Sequence, residues 1–129
     1  MATVRPPESG RRARGTDGMI GSDEVEGTEV YNTSGDHIGI IERVMIDKIT
    51  GRIAYAVMGF GGILGLGREH YPVPWPLLSY NDRAGGYELN VAEDHLRHAP
   101  DFTLDDSLIS GGRTGERELY TYYGVTPYW

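Results

Sequence analysis

The chain has no cysteine. Disulfides, thiolate nucleophiles and zinc sites built on cysteine are therefore excluded, and the absence suits a reducing cytoplasm. No stretch approaches the roughly 20 apolar residues of a membrane-crossing helix. The first 18 residues hold no apolar run of signal-peptide length, which argues against secretion by that route. Positive charge is also scarce: 12 Lys and Arg stand against 19 Asp and Glu, giving a net charge of −7. Such a field repels phosphate backbones and argues against generic nucleic-acid binding. Part of the scarce positive charge gathers at one end. Arg5, Arg11, Arg12 and Arg14 outnumber Glu8 and Asp17 within residues 1–18. With Pro6–Pro7 and nothing to pack, this stretch reads as a disordered basic arm.

What is abundant is glycine, 19 of 129 residues, in a chain of single-domain length. Glycine at this density marks tight turns and close backbone approaches. Short apolar segments lie between the turns. Thr28–Tyr31 is followed by the turn residues Asn32–Asp36. Ile38–Asp47 alternates imperfectly, and a one-residue bulge near Ile40–Ile41 reconciles its two apolar phases. Arg52–Phe60 is apolar or small at almost every position and predicts a strand covered on both faces.

A glycine-rich loop, 59–67, carries Ile63, Leu64 and Leu66. Tyr71–Pro76 then places Pro72, Pro74 and Pro76 along one side, so it is expected to be an edge strand or to sit at an unclosed seam. Its alternate residues Tyr71, Val73 and Trp75 are expected to face the core. Leu77–Tyr80 and Gly86–Leu89 read as a hairpin. A single helix is expected over Ala92–Ala99, with Asn90 as N-cap, Ala92, Leu96 and Ala99 on one face, and Pro100 as terminator. Thr103–Thr114 is polar. Of 13 aromatic residues, Tyr120, Tyr122, Tyr123, Tyr128 and Trp129 fall in the last ten positions, too dense for a free tail.

The ordered series Gly35–Gly39, Val44–Asp47, Thr50–Val57, Gly61–Gly67, Tyr71–Trp75, Leu78–Tyr80, Gly85–Tyr87 and Leu96–Pro100 resembles the PRC-barrel family. Pro76 departs from the polar residue expected after that tryptophan. The resemblance covers about residues 21–102 and implies a mainly β fold: a small antiparallel barrel with one short C-terminal helix. The expected division is a disordered arm over 1–18, the barrel over 19–102, and a polar linker with an aromatic tail over 103–129. The family includes the cytoplasmic domain of the photosynthetic reaction-centre H subunit and a domain of ribosome maturation factors, both resembling docking modules. The Tyr-Tyr-Gly…Tyr-Trp ending looks like tails on some stand-alone bacterial members. The family offers no catalytic residues to carry over.

Sharper chemical readings are weak. The glycine loop has neither Walker nor dinucleotide spacing and reads instead as a barrel crossover with exposed apolar tips. His95 and His98 share a helix face without further ligands. Asp23, Glu24, Glu26 and Glu29 lack calcium-loop spacing. No serine sits in a nucleophile elbow. The expected function is a non-catalytic, cytoplasmic protein-binding or self-assembly module without cofactor or metal. It would dock through Ile63, Leu64 and Leu66 and through Tyr120, Tyr122, Tyr123, Tyr128 and Trp129. The tail is expected to reach a second subunit and help form a homodimer, with a lid folded back on its own barrel as the competing reading. The alternatives are a ribosome-assembly or RNA-processing accessory factor and a small-ligand-binding barrel.

Overall fold

The structure is a computed structural model that describes residues 18–59, 70–100 and 114–129. The expectations for the basic arm, the loop residues Ile63, Leu64 and Leu66, and the polar connector lie outside the described residues. The remainder builds one curled sheet of six strands. These are β1 (Glu29–Tyr31), β2 (His37–Ile46), β3 (Ile53–Gly59), β4 (His70–Pro74), β5 (Leu78–Asn81) and β6 (Gly86–Leu89). Their order is β4-β3-β2-β1-β6-β5. Every pairing is antiparallel except β1 with β6, which is parallel. Each end strand pairs on one side only, so the sheet is a half-barrel with a seam.

The proline strand β4 sits at that seam, as its missing N–H donors require. Tyr71 and Val73 are fully buried on its inner face. Trp75 departs from the expected strand. With Pro76 and Leu77 it forms a 3₁₀ turn into β5. Its ring is partly buried, edge-on to Tyr87 at 5.2 Å. Pro76, favourable in the first turn of a helix, ends the alternation one residue early.

The bulge in β2 falls at Glu42. Ile41 pairs with Met58 and Arg43 with Val57, leaving Glu42 as the extra residue. The two apolar phases are thereby joined: Ile41 faces the inner core before the bulge and Val44 packs on it after. The strands approach closely here, since a Cβ on Gly39 would lie 2.5 Å from the carbonyl oxygen of Gly59. Glycine is the residue that permits that approach.

β3 is buried from Ala54 to Gly59 and divides two cores. Ala56 and Met58 face inward with Val30, Ile41, Tyr71, Val73, Tyr87 and Leu89. Tyr55 and Val57 face outward, into a second cluster. A one-turn helix α1 (Ser22–Val25) adds Val25 to the inner core. The second helix, α2 (Glu93–Arg97), buries Leu96, and Ala99 is buried just beyond it. Its N-cap is Ala92 and not Asn90, with no side-chain cap. Val91 packs against the core and holds the chain extended through the expected cap position.

Candidate protein-docking face

The aromatic tail is largely a third helix, α3 (Thr114–Tyr123). Glu116, Leu119 and Tyr120 are buried and Tyr123 packs beside them, an i, i+3, i+4, i+7 stripe. The helix ends in a Schellman arrangement: Gly124 takes φ +68°, its N–H donates to Thr121 O, and Val125 N–H donates to Tyr120 O. The stripe and the glycine were present in the sequence as a helix signal behind the conspicuous aromatic content.

The helix covers the outer face of β3. Leu119 joins Ala54, Tyr55 and Val57, with Met45 and Tyr128 alongside. Tyr120 is buried and donates its hydroxyl to Ala54 O at 2.6 Å. Tyr122 stacks on His95 at 4.4 Å and donates to the His95 carbonyl at 2.7 Å, while Tyr123 meets the same imidazole edge-on. His95, weighed above as a metal ligand, is thus a packing partner between two tyrosines. His98 turns instead toward Asp94. Within the chain, the tail packs on its own barrel.

Burial under this helix leaves a titration signature. Tyr55 has its pKa pushed up to about 12, first by burial, with Arg43 opposing and Glu116 reinforcing the rise. A phenol whose folded pKa lies above its unfolded value of about 10 contributes stability that is complete below that value. The contribution disappears as pH rises through the folded pKa. Burial also raises the Tyr87 phenol, so tyrosinate absorbance is expected to show late titration, its latest part removed by Tyr55→Phe, with unfolding setting in between about pH 10 and 12. Nine tyrosines titrating together near pH 10 is the opposite result.

The tail also fixes the end of the β2–β3 hairpin. Asp47 Oδ1 accepts the amides of Ile49 and Thr50, and Gly51 closes the turn at φ +80°. The Tyr128 hydroxyl lies 2.9 Å from Asp47 Oδ2 and 2.7 Å from Glu116 Oε2, joining turn and helix. Trp129 rests 5.0 Å from the rings of both Tyr120 and Tyr128. Beside these anchored groups, Ile49 is 88% exposed, Ile46 55% and Trp129 36%. Exposed Arg43, Lys48 and Arg52 lie on the same hairpin. The sequence reading missed Ile46 and Ile49. An apolar β-branched residue inside an otherwise polar turn was the available signal.

Among the described residues, clefts also lie elsewhere. One, about 380 Å³, is lined by Ile20, Asp23, Glu24, Glu26, Gly27, Thr28, Tyr80 and Gly85. Another, about 370 Å³, lies between the Asn32–Gly35 turn and the β5–β6 turn. Glu29 leaves the expected acidic group to pair with His37, and Glu42 reaches over Gly59 to His70 at 2.7 Å. Among the described residues, no three His, Asp or Glu side chains group so as to hold a metal ion. Likewise no described helix is long and apolar enough to cross a membrane.

An open, curled half-barrel with a proline edge strand defines a small β-barrel domain. The family model for the PRC-barrel domain matches residues 17–96, and the chain belongs to that family. No curated protein sequence matches the chain significantly.

Proposed function

We propose that the chain is a non-catalytic protein-binding module of the PRC-barrel family, working in the cytoplasm. The observation that carries this reading is the hairpin end, where Ile46, Ile49 and Trp129 are exposed together on a turn braced by Asp47 and Tyr128. Exposed apolar groups on a rigid support suit recognition, because little ordering is needed on binding. The aromatic tail serves this surface mainly as a brace. Tyr120, Tyr122, Tyr123 and Tyr128 spend their contacts on the barrel, and Trp129 is the tail residue that reaches the exposed face.

Tagged full-length chain and an Ile49→Asp/Trp129→Ala variant, both used as bait in the source cell, test the reading. The expected result is a protein retained at near-equal molar amount by the parent and lost with the variant. Retention of RNA or a small molecule by both baits, with no protein that distinguishes them, would overturn it.

A further inference from the structure

We propose that the β2–β3 hairpin end docks head-to-tail into the acidic cleft of a second copy of this chain, a self-association that rests on the protein-binding reading above. The two surfaces carry opposite charge, and each includes an apolar element. The hairpin end projects Ile49 as an apolar tip, with Lys48 beside it in the turn, Arg52 just after the turn over the Tyr128 ring, and Arg43 further back on β2. The one acid among residues 43–52, Asp47, is engaged by the turn amides and by Tyr128. The cleft supplies the counterpart. Ile20 and Tyr80 offer apolar walls, and Asp23, Glu24 and Glu26 bring carboxylates to the same opening. Residues 18–36 contain five acids and no lysine or arginine, and three of the chain's 12 cations lie on the hairpin.

A cavity of about 380 Å³ is at the small end of the range for ligand clefts, roughly 300–1,000 Å³, and is of a size to take a protruding side chain or two. The tip cannot serve its own cleft. Ile41 borders the cleft segment, accepting from Gly27 N–H and donating to Thr28 O. From there β2 runs on to Ile46 before the turn begins, on the order of 15 Å further at about 3.3 Å per residue. The Asp47 and Tyr128 bonds fix the turn at that remove. The contact joins two different patches, so it is heterologous and continues into chains or closes into rings. An anionic lipid surface would also suit these cations and an isoleucine, and the test below distinguishes it from a second copy.

Sedimentation velocity of the full chain over a wide concentration range tests the inference. The parent is expected to grow beyond dimer with concentration and to dissociate as salt rises. Ile49→Asp removes the tip and Asp23→Lys/Glu26→Lys reverses the cleft. All three positions are exposed, and circular dichroism verifies each fold. Each variant alone is expected to associate about tenfold more weakly or worse, as for loss of an interface-centre contact. Mixed, they are expected to form a one-to-one pair that grows no further, because one working tip meets one working cleft. The inference fails if either variant associates like the parent, if the mixture stays monomeric, or if the parent is monomeric at every concentration. It also fails if the tip's measurable partner is a vesicle of anionic lipid. A monomeric parent that still retains a tip-dependent protein in the bait experiment leaves the broader reading standing.

Discussion

Tyr120→Ala is expected to destabilise the fold by about 3–5 kcal/mol, the range for removing a buried aromatic ring. The residue is almost fully buried, and its ring meets those of Tyr128 and Trp129. Its hydroxyl reaches across 66 residues of sequence to Ala54 O. Tyr120→Phe separates the two contributions. It keeps the ring and removes one buried hydrogen bond, so a loss of about 1 kcal/mol is expected. Equilibrium denaturation of both variants checks the pair. Losses below about 1 kcal/mol for the alanine variant would mean that the helix does not cover β3.

Tyr71→Ala is expected to cost a similar amount, about 3–5 kcal/mol, through the inner core. Tyr71 is fully buried, pairs with Met58 across the sheet, and holds the edge strand against its neighbours. Trp75→Ala is expected to cost less, about 2 kcal/mol, because the larger ring has left the strand and is only partly buried. The order of the two losses in urea denaturation is the decisive feature. A tryptophan variant more damaging than the tyrosine variant would place Trp75 in the core and extend β4 past Pro74.

These two sites show where the sequence was legible. Side-chain chemistry that forbids a conformation could be read directly. Pro72 and Pro74 lack N–H donors, so β4 had to lie at an edge, and it does. The broken alternation of β2 required an extra residue, found at Glu42 within two positions of its expected place. β3 was recognisable as covered on both faces from composition alone, but composition does not say what covers it. That cover is Leu119 and Tyr120, more than 60 residues away, and long-range docking leaves no local periodicity in the strand it protects. The tail was misread for a related reason. Its aromatic content drew attention from the Glu116–Leu119–Tyr120–Tyr123 stripe that makes it a helix. The exposed hairpin end was less legible still. Ile49 becomes conspicuous only when Asp47, Thr50 and Gly51 fold the turn around it.

The tail's cover over its own barrel braces the hairpin end and leaves that end as the exposed surface. Amide hydrogen exchange along β3 tests it directly when followed at several protein concentrations. Exchange from Ile53 to Gly59 is expected to be slow, to quicken in a chain ending at Thr114, and to be independent of concentration in the full chain. Protection of β3 that appears only as concentration rises would place the helix on a neighbouring subunit and contradict the account.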